Sequence, residues 1–122
     1  MFYQDLQSYL KHLEERDLLF RIGCEVDKEW ELSCVARWVF QGLPEANRRG
    51  LLFEKVKGYD TPVAVGVLGA SRRVYAAAVG ADSPDDIRSV WLDALDHPIL
   101  PTEVGASLAS YIMQTQHGSQ IV

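Results

Sequence analysis

The sequence predicts one small domain of the α/β class, or a closely related α+β arrangement: a mixed sheet of at least three strands packed with about four helices. Two patterns point there. Segments with apolar residues at i, i+3, i+4 and i+7 alternate with short apolar runs bounded by glycine and proline. The 122 residues suit one domain, and 48 % hydrophobic with 24 % charged residues is the balance of a globular core-forming chain.

Leu6, Tyr9, Leu10 and Leu13 recur at helical spacing between Lys11, Glu14, Glu15 and Arg16, which predicts a helix from Asp5 to Arg16 with Asp5 at its start. Leu18 to Ile22 is short, rich in apolar residues and closed by Gly23, so it is read as a strand. Asp27 precedes a second helical pattern in which Leu32, Val35, Ala36, Val39 and Phe40 share a face, ended by Gly42 and Pro44. Leu43 to Gly50, with Arg48 and Arg49, is read as a solvated loop.

Leu51 to Val56 and Pro62 to Leu68 are the next strands, around a Lys57-to-Thr61 turn. The second is apolar from Val63 through Leu68 and is therefore expected inside the sheet, covered on both faces. Ser71 opens a third helix through Val79, with Gly80 as its C-cap. Ser83-Pro84-Asp85-Asp86 opens a fourth, whose buried face is expected from Ile87, Val90, Trp91, Ala94 and Leu95 until His97-Pro98 stops it. Residues 1–104 are read as the domain, and residues 105–122 as a tail holding a weak helix or a partner-docking segment.

A formal charge of −5 and a pI near 5.1 disfavour nucleic acid as a partner. The apolar runs are far shorter than the roughly 20 residues of a membrane span. Met1 to Asp5 lack the basic and apolar regions of a signal peptide, so a cytoplasmic location is expected. Cys24 and Cys34 match neither a redox pair nor a zinc half-site and are expected to be buried free thiols.

Candidate chemistry is sparse. His12, His97 and His117 fall in separate elements, without the ligand spacing of a metal site. Ser71, Arg72 and Arg73 place a hydroxyl and two cations at a helix N-terminus, a weak candidate for holding an anion. Glu25, Asp27, Glu29 and Glu31 are an acidic run better explained by a helix start than by acid–base catalysis. Trp30, Trp38 and Trp91, with Tyr111, Ile112 and Met113, are candidates for a partner interface, against a reading of Trp38 and Trp91 as core residues.

Read in order, Asp5 to Leu10, Leu13 to Ile22, Glu25 to Asp27, Leu51 to Gly58, Thr61 to Val63, Gly69 to Arg73 with Ala76 to Gly80, and His97 to Ile99 with Pro101 resemble the amino-terminal domain of UbiD-family decarboxylases. The resemblance covers residues 5–104. It implies a place in prenylated-FMN chemistry, the addition or removal of carboxylate on aromatic and α,β-unsaturated acids.

The family's catalytic Glu-Arg-Glu set and flavin barrel belong to a part of the family chain that lies beyond the region matched, so no residue here inherits a catalytic or cofactor role. The segment Gly105 to Tyr111 departs from the family's usual exit strand, which suggests a finished subunit. The implied function is a non-catalytic small subunit docked on a larger UbiD-like catalytic subunit that holds the prenylated FMN, as in aromatic carboxylases such as that proposed for benzene. The alternatives are an excised domain of a full-length enzyme and an independent anion-binding regulatory domain.

Overall fold

A computed structural model describes residues 3–101; Tyr111, Ile112, Met113 and His117 lie outside the described residues. Helix α1 spans Leu6–Glu15 and begins with a reciprocal cap: the Ser8 amide donates to Asp5 Oδ1 at 2.7 Å, and the Asp5 amide donates to Ser8 Oγ at 3.3 Å. It ends where Asp17 takes a left-handed φ of 55° and the Leu18 amide reaches back to the Leu13 carbonyl at 2.8 Å. Strand β1 (Leu19–Val26) comes next, then helix α2 (Glu31–Arg37), a π-helical turn (Trp38–Gly42) and a 3₁₀ turn (Glu45–Asn47).

Strands β2 (Gly50–Val56) and β3 (Val63–Val65) complete the sheet. Helix α3 (Arg72–Val79) ends on Gly80 at φ 75°, and a 3₁₀ turn (Pro84–Asp86) capped by Ser83 leads into helix α4 (Ile87–Asp96). The α/β expectation of four helices and three strands holds. The first strand runs on through Gly23 to Val26, and the second helix starts at Glu31 rather than near Asp27.

The strands lie in the order β1-β2-β3, with β1 parallel to β2 and β2 antiparallel to β3. Because side chains alternate across a strand, β2 supplies both cores. Leu52 joins Tyr9, Leu13, Leu19, Val74 and Ala77 beneath α1 and α3. Leu51 and Phe53 join Val26, Ala36 and Val39 beneath α2. The strand covered on both faces is therefore β2, which corrects the expectation for Pro62 to Leu68: that run pairs over three residues only, at the edge of the sheet, and Val63, Ala64 and Val65 are half-buried. Gly66 ends it by turning the chain with φ 69°.

The topology corrects two further expectations. Cys24 and Cys34 are exposed: β1 is an edge strand whose register shifts between Ile22 and Glu25, leaving Cys24 in the bulge, and Cys34 lies away from the α2 face that carries Ala36. The fourth helix buries none of its residues, and its main contacts are with α3 and the turn before it. The Leu43-to-Gly50 loop is also more ordered than a solvated one, because Arg49 donates to the Asp17 carbonyl at 2.7 Å and to its carboxylate at 2.6 Å.

The long-range pegs are tyrosines. Tyr9 donates to the Val67 carbonyl at 2.5 Å, tying α1 to the chain after β3, and Tyr3 donates to the Ala77 carbonyl at 2.8 Å. Burial, aided by nearby Tyr3, pushes the Tyr9 hydroxyl up to about 12. The folded state thus holds Tyr9 neutral where the unfolded chain ionises from about pH 10. This contribution is complete below pH 10 and lost as pH rises toward 12. Replacing Tyr9 by Phe should lower the urea-unfolding free energy at pH 7 by about 1 kcal/mol. Its deficit relative to the wild type should narrow between pH 10 and 12, and a pH-independent deficit would refute the assignment. Gly66→Ala should destabilise by roughly 1–3 kcal/mol in the same assay, because its Cβ would drive into the Phe40 ring at a positive φ.

Candidate functional site

The N-terminus of α3 is where the sequence places its one anion candidate. Ser71 caps the helix, its buried hydroxyl oxygen accepting from the Val74 amide at 3.3 Å. That hydroxyl is used by the fold. The next free amide, that of Arg72, donates to Glu45 Oε1 at 2.9 Å, so the positive end of the helix already holds a carboxylate from the 3₁₀ turn before β2. The side chains of Arg72 and Arg73 project outward, exposed, beside a shallow hollow lined by Glu45, Ser71 and Pro84.

Glu45 is the functional-looking residue that sequence reasoning missed. The contact spans 27 positions, and nothing local to Pro44-Glu45-Ala46 announces it. Arg49 likewise serves the fold rather than a solvated loop. Its guanidinium sits 4.9 Å over the Phe20 ring while bonding Asp17. That hydrogen bond, reinforced by the guanidinium charge, holds the Asp17 carboxyl below its ordinary range. Arg73 adds a smaller contribution to the same shift. A second knot joins α1, β1 and β2: Arg21 grips Glu14 through Nε at 2.5 Å and Nη2 at 3.1 Å, and reaches Glu54 at 2.7 Å.

The acidic run is consumed locally. Asp27 Oδ1 accepts from the Glu29 amide at 2.8 Å, Glu31 Oε2 accepts from the Asp27 amide at 2.8 Å, and Glu29 pairs with Lys28. Glu25 lies on β1, apart from them. His12 is half-buried with its ring 5.3 Å from that of Tyr3, and His97 bonds Asp93 in the last turn of α4. Among the described residues no group of three or more His, Cys, Asp or Glu could hold a metal ion, and no helix is long and apolar enough to cross a membrane.

The tryptophans are surface residues. Trp30 is 78 % and Trp38 64 % exposed at the two ends of α2, while Trp91 on α4 is 49 % exposed and donates its indole N–H to the Tyr75 hydroxyl at 3.1 Å. The core alternative for Trp38 and Trp91 is therefore set aside. The fold does not gather the three together: α2 covers the Phe53 face of the sheet, and α4 leans on α3, over the Leu52 face.

Comparison with known proteins gives this surface its context. Residues 10–91 match the family described as the 3-octaprenyl-4-hydroxybenzoate carboxy-lyase N-terminal domain. The uncharacterized protein sll0936 of Synechocystis sp. is 33 % identical over 106 residues, covering 87 % of this chain and 17 % of that protein. The vanillic acid decarboxylase of Sedimentibacter hydroxybenzoicus in its open form superposes with a TM-score of 0.71 at 27 % identity, over 85 % of this chain and 22 % of that one. An evolved dimeric form of the UbiD-class enzyme HmfF from Pelotomaculum thermopropionicum, solved in complex with prFMN, gives 0.66 at 28 %, over 84 % and 22 %. The chain spans less than a quarter of the length of each of these relatives.

Removing the internal anion tests the α3 terminus. Glu45→Ala should lower the stability of the fold by up to about 1 kcal/mol in urea unfolding. Millimolar inorganic phosphate should then raise the thermal midpoint of the variant and leave the wild type unchanged; equal response of both proteins would show that Glu45 does not fill the site.

Proposed function

The chain belongs to the 3-octaprenyl-4-hydroxybenzoate carboxy-lyase N-terminal domain family, and from that premise we propose that it is a non-catalytic subunit docked on a larger UbiD-like catalytic chain. The observation that carries this reading is the family match over residues 10–91, a region whose one anion candidate is spent on the fold, with the Ser71 hydroxyl and the Arg72 amide already engaged. A two-component precedent supports it: the vanillic acid decarboxylase is solved as ShVdcCD with a truncated ShVdcD.

In this reading the prFMN named for HmfF resides in the partner. The α3 N-terminus, where a flavin phosphate would seat on this chain, is filled by Glu45, and the Ser71 hydroxyl is spent on capping. With that terminus occupied, no cofactor role and no catalytic step are assigned to Ser71, Arg72 or Arg73. The contribution of the chain is to cover and stabilise the catalytic subunit in the cytoplasm, in a carboxylase or decarboxylase acting on an aromatic acid.

A second reading has its own support. In sll0936 the matching region is part of one long polypeptide, so the same domain also occurs within a continuous chain. A free-standing anion-binding regulator has less behind it, because the site it would use holds Glu45. Affinity recovery of the tagged chain from its native host should bring down a larger flavoprotein, with flavin absorbance in the eluate. Recovery of the tagged chain alone, as a monomer, would overturn the subunit reading. Codons continuing in frame into a flavin-binding region would instead select the continuous enzyme.

A further inference from the structure

Among the four described α-helices, α4 alone buries none of its residues. Ile87 and Val90 lean half-buried toward α3 and Trp91 is pinned to Tyr75, but the stripe then runs off the domain. Leu95 is 71 %, Ile99 73 % and Leu100 84 % exposed, and Leu92 is half exposed. Single exposed apolar residues are ordinary, whereas a run of four with a tryptophan over ten positions marks a contact surface. Its rim is acidic. Asp93 and Asp96 stand exposed along it, Asp93 beside His97, while Asp82, Asp85 and Asp86 precede the helix at its other end and Arg88 is the single lysine or arginine between residues 82 and 97.

Charge decides among the possible occupants. A second copy would bring two acidic rims together, which electrostatic complementarity opposes. Residues 102–122 of this chain hold Glu103 and no lysine or arginine, so they bring no fixed cation to answer the aspartates. We infer that the far end of α4, from Trp91 to Leu100, is the docking face of this protein, and that it seats in an apolar groove edged by lysine or arginine on the catalytic chain. The inference rests on the subunit reading and names the surface that would carry it. Trp91 and Leu95 are the anchors, and Asp93 and Asp96 orient the approach and make association fall with salt.

The test uses the full chain and the flavoprotein recovered with it. Leu95→Ser combined with Ile99→Ser leaves the fold intact, since both side chains are already in water, and should weaken the complex on the order of 100-fold by interferometry. Asp96→Lys should weaken it about tenfold at low salt and less at high salt, while Trp30→Ala on the opposite side should leave it unchanged. Wild-type binding by the double variant would overturn the docking face and leave the subunit reading standing. Absence of a complex with the wild type would remove both. Two outcomes with the free chain would each overturn the inference. One is a wild-type dimer in sedimentation velocity that the double variant dissolves; the other is a Trp91 shielded from acrylamide when Trp30 and Trp38 are replaced by Phe.

Discussion

The two-sided burial of β2 is the constraint on which the rest of the structure depends. Leu51 and Phe53 face one way and Leu52 the other, and all three are buried. A strand in that position requires a neighbour on each edge and a helix layer on each face. The β1-α2-β2 segment supplies one edge and one layer, and β3 with α1 and α3 supplies the others. Burying side chains the size of Phe53, Leu51 and Leu13 contributes roughly 1.5–3 kcal/mol each. An exposed pair such as Lys11–Glu15 contributes at most about 1 kcal/mol, so the apolar layers, not the ion pairs, hold the domain.

The polar contacts have a different task, that of setting how the layers meet. Arg21 joins α1 to β1 and β2 through Glu14 and Glu54, and Arg49 joins the turn after α1 to the start of β2 through Asp17. Asp17 accepts a left-handed backbone, an unfavourable place for a side chain, and Arg49 bonds both its carbonyl and its carboxylate there. Glu45 does the same for α3, answering the helix terminus from across the fold. Each of these contacts reuses a charge that would otherwise mark the surface as a binding site.

How much of the fold is legible in the sequence depends on the range of each signal. The caps at Asp5, Ser71, Ser83 and Gly80 are local chemistry, and each falls where its residues indicate. The apolar face of α2 is legible for the same reason. Strand order is not local: Val63 to Leu68 is apolar throughout while Leu51 to Val56 carries Glu54 and Lys55, and only pairing across the sheet makes the second the central strand. Exposure of Cys24 comes from a bulge, and exposure of Cys34 from the narrowness of the α2 contact, neither of which composition encodes. The anion candidate fails through Glu45, whose contact no spacing rule anticipates, while Trp30, Trp38 and Trp91 lie on the surface but are divided between two faces.

A helix that keeps an amphipathic pattern while finding no core is informative in itself. The apolar residues of α2 reach Phe53 and Val39, and those of α1 and α3 reach Leu52, so the two cores close without help from α4. Ile87 and Val90 lean half-buried toward α3 and Trp91 bonds Tyr75, while Leu92 and Leu95 stay exposed among the described residues. A domain of this family comes, in its relatives, with several times its own length of further polypeptide. Leu95, Ile99 and Leu100 are apolar side chains that the described residues leave uncovered at the far end of α4. Association at α4 would complete by contact what the fold leaves open, whichever chain carries the groove.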